Sequence, residues 1–159
     1  MMYFNRKSIR LEGYDYSENG LYFVTICTQN RKSIFGLVDD GIMYLNDAGK
    51  MVQMVWDEIP LYYDGFRLHE FVIMPNHIHG IIEIIDSQIG LGDIVHRFKT
   101  LTTTKYIKGV RDLNWETFDK RVWQRNYHEH IVRNEKSYLK ISEYIQTNPQ
   151  KWKDDIYHL

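Results

Sequence analysis

Two apolar runs that meet at a proline turn constrain this chain more than any other feature. Residues 66–73 and 77–85 are dense in β-branched and aromatic side chains, and Pro75-Asn76 lies between them, so the pair reads as two antiparallel strands of a hairpin. The second run opens with His77-Ile78-His79-Gly80-Ile81-Ile82. Side chains alternate along a strand, so His77 and His79 share one face while Ile78, Gly80, Ile82 and Ile84 share the other. Two imidazoles from one strand can hold a divalent ion and leave most of its coordination sphere open. The same spacing also suits a polar pair on the solvent face of a half-buried sheet. The continuous apolar flanks point to an interior strand, where imidazoles need partners.

The hairpin sits in a regular alternation of elements. Residues 21–28 form a β-branched strand that contains Cys27, the only cysteine, which excludes an intramolecular disulfide and a cysteine-cluster zinc site and reads as core. Asp39-Asp40-Gly41 marks a small hairpin within 35–43. Asn46 or Asp47 caps a helix in which Ala48, Met51, Val52, Val55, Trp56 and Ile59 recur at helical spacing up to Pro60. After the main hairpin, residues 90–108 give a basic amphipathic helix with Leu91, Ile94, Val95, Phe98 and Leu101 on one face, and residues 109–119 read as a loop. Arg121-Val122-Trp123-Gln124 is the expected edge strand, and a last helix starts at Asn134 and stops before Pro149. Strand, helix, strand, strand, helix and edge strand make a ferredoxin-like α+β pattern. The expectation is one domain over 1–159, an antiparallel sheet with helices on one face, a basic N-terminal arm within 1–20 and a C-terminal helix at about 135–148.

With 159 residues the chain is long enough for one core and short for two. It has no run of 18 apolar residues and no apolar leader, so the expectation is a cytoplasmic protein without a membrane partner. The net charge of −1 hides an uneven distribution: residues 1–89 are acidic on balance and residues 90–159 basic. A basic half suits a polyanion, and equally a solvated face.

In the last helix, Tyr144 and Asn148 are four residues apart and therefore project from one side. A tyrosine can act as a nucleophile and an asparagine oxygen as a metal ligand. Spacing alone fits just as well a packed tyrosine and a C-terminal cap.

Five segments in this order give the chain a family likeness: Leu11-Glu12-Gly13-Tyr14-Asp15-Tyr16, Tyr22-Phe23-Val24-Thr25-Ile26-Cys27-Thr28, Met74-Pro75-Asn76-His77-Ile78-His79-Gly80, Trp123-Gln124-Arg125-Asn126-Tyr127-His128-Glu129-His130, and Tyr144-Ile145-Gln146-Thr147-Asn148-Pro149. The sequence resembles the single-tyrosine HUH transposases, and more closely the REP-associated tyrosine transposases. That resemblance implies a ferredoxin-like fold, Mg²⁺ or Mn²⁺ held by His77, His79 and Asn148, and Tyr144 as nucleophile, with Tyr127 as the rival. Insertion-sequence members carry glutamine where this chain has the shorter Asn148. The implied activity is metal-dependent cleavage and joining of single-stranded DNA at hairpins, REP-like palindromes, through a 5′-phosphotyrosine, by a monomer or a homodimer. Arg97, Lys99, Lys105, Lys108, Arg121, Arg125 and Arg133 are the expected phosphate contacts, with Trp123 or Tyr127 free to stack on a base. A DNA-hairpin-binding protein of the same fold that does not cleave is the alternative. A His-X-His nucleotide hydrolase is disfavoured, since Ile81 stands where a third histidine would follow.

Overall fold

The computed structural model describes residues 19–86 and 88–158, so the basic arm and the segment 11–16 lie outside the described residues. The strands and helices follow the expected order: β1 (Gly20–Cys27), a small hairpin of β2 (Gly36–Asp39) and β3 (Ile42–Leu45), α1 (Asp47–Glu58), β4 (Phe66–Met74), β5 (His77–Ile84), α2 (Leu91–Leu113), β6 (His128–Val132) and α3 (Glu135–Gln146). Four strands form one sheet in the order β4-β5-β1-β6, every neighbouring pair antiparallel. This is the ferredoxin-like arrangement.

Local chemistry explains the boundaries. Asp40 and Gly41 both take positive φ (49° and 74°), the backbone that a two-residue turn between β2 and β3 requires. The Asn46 side chain accepts a hydrogen bond from Gly49 N at 2.9 Å, and that of Asn134 accepts one from Ser137 N at 2.8 Å; each cap contributes about 1 kcal/mol. On the face of the sheet that carries α1 and α2, Tyr22, Val24 and Ile26 of β1 meet Ile78, Ile82 and Ile84 of β5, and Val52, Val55, Trp56, Ile94, Val95 and Phe98 close over them. Burying each large side chain there contributes roughly 1.5–3 kcal/mol. The opposite face presents His77, His79 and Thr25.

Four expectations need correction. The edge strand is β6, not 121–124; that segment makes only the bridge Thr28↔Trp123, with Gln124 N donating to Cys27 O at 2.9 Å. Helix α2 extends into the start of the expected loop, to Leu113, and ends at Asn114, which takes the left-handed conformation at φ 58°; the rest of that loop is irregular. The helices are not all on one face: α3 packs on β4 across the side that carries the histidines, where Tyr138 of α3 bonds His69 of β4 at 3.2 Å. Finally, Trp123 and Tyr127 are buried, and Trp123 Nε1 donates to Thr102 Oγ1 at 2.8 Å, so neither ring is open to a base.

Candidate functional site

The site grows out of the register of β5 against its neighbours. His77 and His79 stand opposite Cys27 and Thr25 of β1 and opposite Met74 and Val72 of β4, so both imidazoles emerge from the middle of the sheet. Both are buried, and their Nε2 atoms lie 3.1 Å apart. Their other nitrogens are engaged: His77 Nδ1 with Asn76 Oδ1 at 2.8 Å, and His79 Nδ1 with Thr25 Oγ1 at 2.7 Å. The Asn76 amide is oriented by its own donor contacts, Nδ2 giving hydrogen bonds to Tyr157 O at 2.7 Å and Arg31 O at 3.3 Å. Its oxygen therefore accepts from His77 Nδ1–H, which leaves the Nε2 lone pair pointing toward His79.

Burial holds both rings neutral. It pushes the pKa of His77 down to about 3, with Asn148 opposing and the Arg31 charge adding to the shift, and that of His79 well below the usual imidazole range. Neutral imidazole is the ligating form. Cys27, beside His77 in the register, is pushed up to about 11 by burial, so its thiol stays protonated and is no ready ligand.

Helix α3 reaches this pair from above. The Tyr144 ring lies 5.2 Å from the His79 ring and 6.1 Å edge-on from Phe23, and at 37% exposure it remains open to a large substrate. Burial raises its pKa, Asn148 counters that and the Asp155 charge adds to it, so the phenolate is disfavoured in the protein alone. The C-cap of α3 is Thr147, and Asn148 heads the 3-10 turn that follows without using its side chain as a cap. It is buried, and its carboxamide lies close enough to His77 and Tyr144 to act on both, yet among the described residues Oδ1 has no hydrogen-bond partner of good geometry. An orphaned amide oxygen beside two imidazole nitrogens is costly in isolation and is what a cation would satisfy. The 3.1 Å between the two Nε2 atoms also matches neighbouring ligands on an octahedral ion with bonds of about 2.1 Å.

Sequence reasoning missed Asp155. After Pro149 the chain makes a 3-10 turn over Pro149–Asp154 and folds back across His77, and the ligand atoms of His77, His79 and Asp155 all come within 4.8 Å of one another. Nothing in the local pattern announces it; only the fold-back does.

The rival tyrosine is buried in the core. Tyr127 belongs to the core cluster that α1 and α2 close over. The basic residues do not form one patch. Lys99, Arg121 and Arg125 line a groove with His96, Thr100, Thr103 and Thr104, although Lys99 Nζ is already committed to Gln124 O at 2.7 Å and Arg125 O at 3.0 Å. Lys105 and Lys108 face α1 beside Met51 and Met54, Arg97 lies over Tyr62 and Tyr63, and Arg133 is exposed just after β6.

Comparison with known proteins gives the site its context. The profile of the family described as "Transposase IS200 like" matches residues 17–148, which takes in both histidines and Tyr144 and ends on Asn148. An uncharacterized protein of Haemophilus influenzae is 45% identical, covering 95% of this chain and 92% of that one. A second Haemophilus influenzae protein, assigned to the REP-associated tyrosine transposases, is 28% identical over 86% of this chain and 74% of its own length. The solved structure of a REP-associated tyrosine transposase bound to a REP hairpin shares the fold, with a TM-score of 0.65 at 22% identity, over 89% of this chain and 73% of that one. The likeness carried by the five sequence segments is thereby borne out, and this chain belongs to the IS200-like transposase family.

Proposed function

We propose that this transposase-family protein is a metal-dependent single-stranded DNA nuclease and strand transferase, acting on cytoplasmic DNA hairpins through a phosphotyrosine at Tyr144. The observation that carries the reading is the convergence on one spot of a solvent-reachable phenol from α3, two neutral imidazoles from β5 and an unpaired buried amide oxygen. His77, His79 and Asn148 would hold Mg²⁺ or Mn²⁺. When bound, that ion supplies positive charge next to the scissile phosphate.

The protein's own groups do the rest. Asn76 and Thr25 fix the rings of His77 and His79, and Tyr144 packs by Phe23 and His79 with its hydroxyl within reach of the Asn148 side chain. Tyr144 Oη loses its proton and bonds to phosphorus; the bond from phosphorus to the 3′-oxygen breaks, and that oxygen takes up a proton and leaves as a 3′-hydroxyl. The product is a 5′-phosphotyrosine. A 3′-hydroxyl attacking that adduct runs the step backward, so cleavage and joining use one site.

Hairpin DNA as substrate rests on family membership and on the fold shared with a relative bound to a REP hairpin. The groove of Lys99, Arg121 and Arg125 offers a cationic surface for it. Tyr144 reaches the histidines of its own chain, which supports a site complete within a monomer.

The test is a covalent-adduct assay with single-stranded hairpin DNA and Mn²⁺. Tyr144→Phe keeps the ring packed and should retain hairpin binding while losing the adduct; Tyr127→Phe should still form it. Peptide mass spectrometry that finds the nucleotide on another residue refutes the assignment, and binding with no adduct on any hairpin leaves the non-cleaving reading.

A further inference from the structure

The set His77, His79 and Asn148 is electrically neutral, which is a poor match to a divalent ion at a buried site. Hard cations such as Mg²⁺ and Mn²⁺ favour anionic oxygen, and every group in that set is uncharged. The charge has to come from elsewhere in the chain or from the substrate.

Asp155 is placed to supply it. Three contacts fasten the segment after α3 to the sheet: Asn76 Nδ2 donates to Tyr157 O at 2.7 Å, Arg31 Nη1 donates to Ile156 O at 3.3 Å, and the Tyr157 ring lies 4.5 Å from the His77 ring. Asn76 is thus shared. Its oxygen orients His77 while its nitrogen holds the returning segment, so a single side chain registers Asp155 against the histidines. The carboxylate is also oriented from its own side, since Tyr157 N donates to Asp155 Oδ1 at 2.8 Å.

We propose that Asp155 is an anionic ligand of the ion held by His77 and His79, so that metal binding clamps the segment 149–158 onto the sheet. This rests on the reading of the two histidines as metal ligands. Asp155 lies beyond the residues that the family profile matches, so the clamp is a property of this chain's own C-terminal segment rather than of that profile.

The experiment is Mn²⁺ titration of the full chain by calorimetry, paired with trypsin cleavage at Lys151 and Lys153 with and without Mn²⁺. Asp155→Asn keeps an oxygen for Tyr157 N and removes only the charge, so the fold-back survives in the variant. The expected result is Mn²⁺ binding weakened by about tenfold or more, with loss of the metal-dependent protection of Lys151 and Lys153 seen in the parent. Asp154→Asn, an exposed neighbour, should change neither. Unaltered affinity and protection in Asp155→Asn, alongside loss of binding in His77→Ala, overturns the clamp and leaves the histidine site standing. No Mn²⁺ uptake by the parent overturns both.

Discussion

Gly80→Ala should destabilise this protein, and the reason lies on the opposite face of the strand from His77 and His79. Gly80 faces α1, where an added Cβ would stand 2.6 Å from Trp56 Cη2, 3.0 Å from Trp56 Cζ2 and 3.1 Å from Phe71 Cδ1. The indole cannot step aside, because it is stacked on Phe71 at 4.1 Å and edge-on to Phe98 at 5.8 Å. Relief requires roughly 1 Å of movement to restore ordinary contact, the kind of overpacking that costs about 1–3 kcal/mol. Replacing glycine also removes freedom from the unfolded chain, a gain of about 0.4–1 kcal/mol. The net expectation is a loss of about 1–2 kcal/mol in urea denaturation followed by circular dichroism. A smaller ring at the other partner supplies the internal control: in a Trp56→Phe background, Gly80→Ala should cost nothing or stabilise, giving a clear coupling energy. Equal cost in both backgrounds, or a parent-like Gly80→Ala, refutes the argument that Trp56 occupies the missing side chain's space.

Two further outcomes follow from the histidines. Between its ordinary value near 6.5 and its folded value of about 3, His77 binds more protons unfolded than folded, so stability of the chelator-treated protein should fall as pH drops through that window; at pH 5 its share is about 2 kcal/mol, and His79 acts in the same direction. A melting temperature that stays flat from pH 7 to pH 5 contradicts this. Tyr138→Phe removes the hydroxyl that meets His69 Nδ1 at 3.2 Å, while His69 Nε2 keeps Glu83 at 2.8 Å; it should cost about 0.5–1.5 kcal/mol and speed hydrogen exchange in α3 without touching β1.

What the sequence made legible is what alternates or caps locally. The period of two across His77 and His79, the caps at Asn46 and Asn134, and the one-turn spacing of Tyr144 and Asn148 all survive in the fold, because each is decided within a few residues. The edge strand was hidden because β6 buries Glu129 where an apolar residue is expected, while Val122 and Trp123 offered a convincing apolar pair in a segment that makes a single bridge. Gly109, where the loop was expected to begin, lies inside α2 against the Trp115 ring, which leaves no room for a Cβ there. Asp155 owes its place to contacts with residues more than a hundred positions earlier, such as Arg31, and no local pattern encodes that.

Helix α3 lies over the histidines with little of itself in the core. Only Ser142 and Ile145 are buried on it, and Leu139 is 59% exposed. The four-stranded sheet beneath has its own packed face against α1 and α2. With so few buried apolar side chains of its own, α3 is expected to open more readily than the sheet. Mild denaturant should release amide-exchange protection in α3 before the strands of the sheet lose theirs.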